Sequence, residues 1–419
     1  MVEAASGAVV ADAARGTRQR LDHVDAMRPI KQSAVISTHA LIYFAPLSTS
    51  LWASGMLTLT HFSRDAFLFV SACMLAYSYR DSTRVAPARY WQRRFMSVGL
   101  VYIVWTVIYV PVAMATPTSS FPFYRLSAST LLSTVGLRHL GVALATGYYH
   151  LYFLLLLLEF YVLFPYLFWL IRRFPRSHVA VAVVAALWQF AVPYLFRHGY
   201  LGFTISPWLE TRLVSSYPLY LIGGVVCAFH LEAFHDWVVR HWRGLLVATV
   251  VLAAVPLVLD ALHRHYGVLS PALVPGGDPF ASAVIPYNVG AIIAIYLLGV
   301  VLVDRRRGAR TRAITRSGSE AAYGIYVSQL LWILFLHQWL LASGELKHVW
   351  WVLNVVGVIV VTYFAGWLFS ALVARTALAR ALVGRSRVTW ASLWPRPTEH
   401  AVANSALEVG EGPLNLTDV

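Results

Sequence analysis

An all-α membrane protein, a polytopic bundle of about ten transmembrane helices with both termini in the cytoplasm, is the fold that this sequence predicts. Composition is the first observation behind it. Of 419 residues, 58% are hydrophobic and only 12% charged, and the mean hydropathy of +0.63 exceeds that of ordinary soluble chains of this size. The second observation is a succession of apolar stretches close to the ~20 residues that a helix needs to cross a bilayer. The third is the placement of arginine, which gathers between alternate stretches as cytoplasmic loops require. A formal net charge of +14 would suit a nucleic-acid partner, but the basic residues lie between apolar spans and not on one compact face. The partner they imply is the bilayer.

Residues 1–19 lack the order of a cleaved signal peptide and read as a disordered cytoplasmic leader. Apolar spans then follow at roughly 30–47, 61–79, 95–115, 149–171, 178–196, 214–231, 243–263, 281–303, 320–341 and 349–374. The first inner loop carries Arg80, Arg84, Arg89, Arg93 and Arg94, and the second Arg172, Arg173 and Arg176. Arg240 and Arg243 mark the third, and six arginines between Arg305 and Arg316 mark the fourth. Outer loops hold few basic residues, such as Arg125, Arg138 and Lys347. After the last span Arg375, Arg380, Arg385 and Arg387 return the chain to the inside, and residues 386–419 read as a disordered tail. The membrane domain is thus expected over 20–375. The near-absence of lysine points to a GC-rich bacterial gene; with the apolar spans it gives the expectation of a multi-pass protein of the cell membrane.

Three local features stand out within this plan. The outer segment 116–148 is too long for a turn and suits an interfacial or re-entrant helix as well as an ordinary surface helix. In "SGSE", Ser317 precedes Glu320 by three residues, a capping-box spacing that predicts a helix start there. Cys73 and Cys227 fall inside apolar segments as small core residues. No metal-spaced His or Cys cluster and no nucleotide-binding loop is present.

The stretch "RLDHVDAMRPIKQSAVISTHA" opens the first span yet carries Arg28, Lys31, Gln32 and His39. Eleven residues separate Arg28 from His39, about three helical turns plus 20°, so both share one face ~16 Å apart. Gln32 and Tyr43 fall near the same stripe. A cation would then mark the cytoplasmic mouth, with an imidazole about halfway into the membrane, where ionisable groups usually serve function. A snorkelling arginine and an interhelical hydrogen-bonding histidine are the structural alternatives.

The interval between Arg28 and His39 resembles the opening motif of the acyltransferase-3 family of membrane O-acyltransferases. "DAFLFVSACML" is similar to that family's second helix through Asp65, Phe67, Ser71 and Ala72. "RRFMSVGLVYIVW" resembles the basic entry to its third through Arg93, Arg94, Tyr102 and Trp105. "YHLYFLLLLLEFYVLFPYL" resembles the fourth through His150, Tyr152, Phe153, Tyr161 and Pro165, and "AAYGIYVSQ" a late segment through Tyr323, Gly324, Ile325 and Tyr326. The chain departs from the family at Ser97, where a second arginine is common, and at Gln329, where a histidine is usual.

The resemblance implies transfer of an acyl group, usually acetyl, from cytoplasmic acyl-CoA to a hydroxyl of a carbohydrate, glycolipid or glycosylated metabolite. Acyl-CoA is then a co-substrate, with no permanently bound cofactor and no metal. Arg28, Arg93 and Arg94 would hold its phosphates. His39 would take the hydroxyl proton or carry the acyl group covalently. Asp65 and Glu159 are acidic candidates for orienting an imidazole or pairing an arginine, with Ser71 and Tyr326 in support. The rival class is a transporter or flippase, although Pro111, Pro165, Pro193 and Pro286 do not pair across two halves.

Overall fold

The computed structural model describes residues 22–82, 85–115, 133–197, 200, 202–267, 280–303, 308–344 and 350–388. The leader and most of the tail lie outside these residues, as does 116–132. Among the described residues every regular element is helical. In chain order these are α1 (Asp22–Phe44), α2 (Leu51–Thr60), α3 (Phe62–Tyr79), α4 (Pro87–Arg94) and α5 (Leu100–Ala115), the last two joined by a π-helical turn at Phe95–Gly99. Then come α6 (Thr134–Thr146), α7 (Tyr152–Arg173), α8 (His178–Arg197), α9 (Pro207–Glu210), α10 (Pro218–Phe229) and α11 (Leu231–Arg240). The chain continues as α12 (Trp242–Tyr266), α13 (Val284–Val303), α14 (Gly308–Ser343), α15 (Trp351–Val373) and α16 (Ala379–Val383).

Seven of these helical stretches are long and apolar enough to cross a membrane, or eight if α10 and α11, bent by 99°, form one broken span. The two remaining expected spans, α1 and α3, are 23 and 18 residues long. They fall short in apolarity because they carry Arg28, Lys31, Gln32 and His39, and Arg64 and Asp65. Both face protein on much of their surface. α1 is packed among α13, α14 and α15, at contacts where small residues let backbones approach. A Cβ at Gly299 would stand 2.3 Å from the His23 carbonyl oxygen, and one at Gly318 would stand 3.1 Å from Pro29 Cβ.

The span at 214–231 ends at His230, as expected, and there the amphipathic α11 turns away. Leu231 and Val238, seven residues apart, are its buried face. Arg80 Nη1 holds Glu232 Oε1 at 2.5 Å, and His230 Nε2 lies 2.8 Å from His178 Nδ1, so the turn is tied to the arginine-rich end of α3 and to α8. The helix start expected at Ser317 is corrected by the structure: α14 runs unbroken through it. Ser317 Oγ instead accepts from Trp367 Nε1 at 2.9 Å, and Glu320 accepts from Arg316 one turn earlier at 3.1 Å. Part of the 116–148 segment is helical, as α6. Ser133 caps its first turn at Gly136 N, and Tyr102 Oη of α5 donates to the Ala143 and Leu144 carbonyls at its end.

α3 and α10 pack extensively against each other, and glycine lets them approach. A Cβ at Gly224 would sit 2.5 Å from the Phe69 carbonyl oxygen and 2.9 Å from Ala72 Cβ, whereas at Gly223 the nearest atom is 4.0 Å away. Gly224→Val is therefore expected to destabilise the bundle by about 1–3 kcal/mol, the usual range for overpacking, while Gly223→Ala stays near wild type. Thermal unfolding of both purified variants checks this, and equal melting would contradict the packing described.

Candidate active site

His39 lies more than three-quarters of the way along α1, half-buried among its neighbours. Thr38 helps fix the helix there, donating to the Ala34 carbonyl at 3.0 Å and lying 3.3 Å from the Thr60 carbonyl at the end of α2. Beside His39 opens a cavity of about 170 Å³, whose lining includes Val35, Ser63, Arg64, Phe67, His150, Tyr152 and Tyr326. α3 and α7 both end at arginines, Arg80 and Arg173, and contribute their opposite ends to this cavity. The site is thus in the half of the bundle remote from those arginines.

Across the cavity stands His150. Its ring centroid is 6.0 Å from that of His39, at 72° between planes. The backbone that presents it is strained. Gly147 has φ 77°, and a Cβ there would stand 2.2 Å from Tyr152 Cα, so only glycine fits. Tyr149 has φ 47°, the one positive φ outside glycine among the described residues, a conformation that costs about 1–3 kcal/mol and gathers at functional sites. The 147–149 turn delivers the Tyr149 ring to 5.7 Å from His39 and points His150 inward. Tyr326 Oη donates to the His150 carbonyl at 2.6 Å, and the rings of Tyr109 and Tyr326 flank the imidazole at 5.2 and 5.3 Å.

Neither imidazole makes a hydrogen bond of normal geometry among the described residues, although the Val327 and Tyr326 backbone lies near the His150 ring. His39 Nδ1, His150 Nδ1 and His150 Nε2 are all buried without a partner. Buried polar groups are normally satisfied, and exceptions need a reason. A neutral imidazole offers one proton donor and one acceptor, so two of them facing one cavity can take a proton from one bound group and donate to another.

The other residues singled out from sequence are distributed more widely. Arg28 is three turns from His39, 39% exposed at its side chain and ion-paired with Asp25 at 3.3 Å. Arg93 is exposed at the end of α4. Arg94 lies over the rings of Tyr90 and Tyr161 at 5.7 and 5.5 Å, with its Nε buried and unpartnered. None of these three arginines lines the His39 cavity. Asp65 is buried at the first turn of α3, where it takes Arg64 Nε at 3.1 Å and Asn288 Nδ2 at 2.7 Å. Glu159, half-buried on α7, accepts from Val214 N at 3.1 Å and so caps the chain before α10. Ser71 is half-buried on α3 away from the cavity, while Tyr326 lines it. His150 stood in the sequence only as a matching position in the fourth segment. No spacing rule on a single helix relates it to His39; the glycine ahead of a run of aromatic residues in "GYYHLY" was the available signal.

A family model described as an acyltransferase domain matches residues 22–371, which spans every element of this site. No curated protein and no solved structure matches the chain.

Proposed function

The chain belongs to the acyltransferase-3 family and is an acyltransferase; from that premise we propose that it moves an acetyl or similar short acyl group from cytoplasmic acyl-CoA to a hydroxyl of a carbohydrate, a glycolipid or a glycosylated metabolite. The observation that carries this reading is the pair of imidazoles facing one cavity within a membrane bundle, each with a buried ring nitrogen left unbonded. In it, His39 accepts the proton of the acceptor hydroxyl as the oxygen attacks the thioester carbonyl carbon. His150 donates its N–H to the carbonyl oxygen as negative charge develops there. The C–S bond then breaks, the thiolate of CoA leaves, and the proton held by His39 passes to it.

Donor phosphates, in this proposal, meet Arg28, Arg93 and Arg94. Arg94 supports the role best, since a guanidinium with a free buried N–H beside two phenol rings is arranged to hold an anion. Incubation of membranes with labelled acetyl-CoA and fractionated envelope lipids, polysaccharide and metabolites tests the function. Label transferred to a hydroxyl-bearing fraction supports it, and transfer of none to any fraction overturns it.

The topology that goes with this function has ten spans, the eight recognised by apolarity plus α1 and α3, with both termini in the cytoplasm of a multi-pass cell-membrane protein. Cysteines placed at Arg310 and Glu345, with Cys73 and Cys227 replaced by serine, are expected to label from opposite sides with an impermeant maleimide. Labelling from one side contradicts the ten-span arrangement.

A further inference from the structure

Behind the floor of the cavity lies a layer of polar groups that the chemistry above does not use. Val35, Phe67 and Tyr326 form that floor. Gln32 precedes Val35 by three residues on α1, and Gln329 follows Tyr326 by three on α14, so each side chain neighbours a floor residue along its own helix. Both glutamines are fully buried. They meet through Gln32 Nε2, which donates to Gln329 Oε1 at 3.3 Å. Gln32 Oε1 and Gln329 Nε2 remain buried without a partner among the described residues. Exchanging oxygen and nitrogen in both amides leaves the same inventory of one free acceptor and one free donor.

A free donor beside a free acceptor is the complement of a secondary amide. Lys31 belongs to the same layer: it is 3% exposed, and its ammonium lies 3.5 Å from the centroid of the Phe67 ring with no carboxylate partner among the described residues. Away from the cavity the track of unmet groups continues. Tyr323, one turn before Tyr326, and Tyr90, beside Arg94, each keep a buried hydroxyl without a partner.

We propose that Gln32 and Gln329 clamp a secondary amide in the pantetheine arm of the acyl donor, Gln329 donating to its oxygen and Gln32 accepting from its N–H. The proposal rests on acyl-CoA being the donor. Its dimensions agree with that. Gln32 precedes His39 by seven residues, about 10 Å along α1. The amide nitrogens of the arm lie three and seven bonds from its sulfur, ~4 and ~9 Å at about 1.2 Å per bond. A thioester held beside His39 thus places an amide at the level of the glutamine pair along α1, behind the lining residues Val35, Phe67 and Tyr326.

Three donors separate the possibilities: acetyl-CoA with two amides in its arm, S-acetyl-N-acetylcysteamine with one, and S-butyl thioacetate with none. In the double variant Gln32→Leu, Gln329→Leu, KM for acetyl-CoA is expected to rise about tenfold, the cost of one or two lost hydrogen bonds. kcat stays within about twofold and S-butyl thioacetate is used as by wild type. The thermal midpoint should hold, since removing both partners of a buried pair is nearly neutral. If the leucine pair does not fold, Gln32→Met carries the same comparison. An unchanged KM for acetyl-CoA means that the pair holds a water only, and an equal loss on the amide-free donor means that it merely shapes the core; either overturns the clamp. Wild-type protein that accepts none of the three donors overturns the acyl-CoA reading itself.

Discussion

His39→Ala is expected to lower acyl transfer about a thousandfold, within the 10²–10⁴ range that a positioned general base contributes, while the protein still folds and binds acyl-CoA. The expectation follows from what His39 touches. Its Nδ1 has no hydrogen-bond partner among the described residues, so truncation enlarges an existing cavity and breaks no polar network. Arg28, which the proposal assigns to the donor phosphates, is ~16 Å away along the same helix and is held by Asp25. A histidine that served only to join helices would behave differently, losing expression and thermal stability together with activity. Initial rates of label transfer, acyl-CoA affinity and thermal midpoint are measured side by side on purified protein. Transfer at the wild-type rate would sink the role given to His39.

Replacing His150 by alanine is expected to reduce kcat by about 10²–10³, the loss seen when one donor to a developing oxyanion is removed, with KM changed by less than about threefold. Its ring nitrogens are free, and the bond that secures its backbone, from Tyr326 Oη to the His150 carbonyl, does not involve the side chain. Groups that act as a unit are non-additive. The double variant His39→Ala, His150→Ala should therefore be little slower than His39→Ala alone. A product of the two single losses would mean that the imidazoles act in separate steps, as a covalent acyl-imidazole relay requires. Trapping settles that alternative directly: labelled donor without acceptor should leave no hydroxylamine-sensitive label on wild-type protein if His39 is a base.

How much of this was legible in the sequence depends on the range of each signal. Helix positions were, because apolar length and arginine placement are local along the chain, and all ten expected segments are helical where described. The stripe linking Arg28 to His39 was also legible, since helical periodicity fixes the geometry within one element. Ser317 misled because a capping box is only a local preference; packing of α14 against α1 and α15 carries the helix past it. The end of the 214–231 span was legible to within two residues; the 99° turn into α11 was not, because it depends on the Arg80–Glu232 contact and on the buried Leu231 and Val238. The facing of His39 by His150, and of Gln32 by Gln329, is set by how helices pack. No period in the sequence encodes it.

The polarity of α1 also bears on how the protein is made. A charged residue within a span is costly to insert, about 2.5–3.5 kcal/mol at its middle, and α1 carries Lys31 inside its expected span together with Gln32 and His39. Its partners α13 and α14 begin at Val284 and Gly308, so at ~5–20 residues per second they emerge from the ribosome on the order of 10–50 s later. Through that interval the helix bearing His39 lacks the neighbours that shield its polar face. Its packing against α13 and α14 therefore waits until they have been made, a late assembly step for the helix that carries His39.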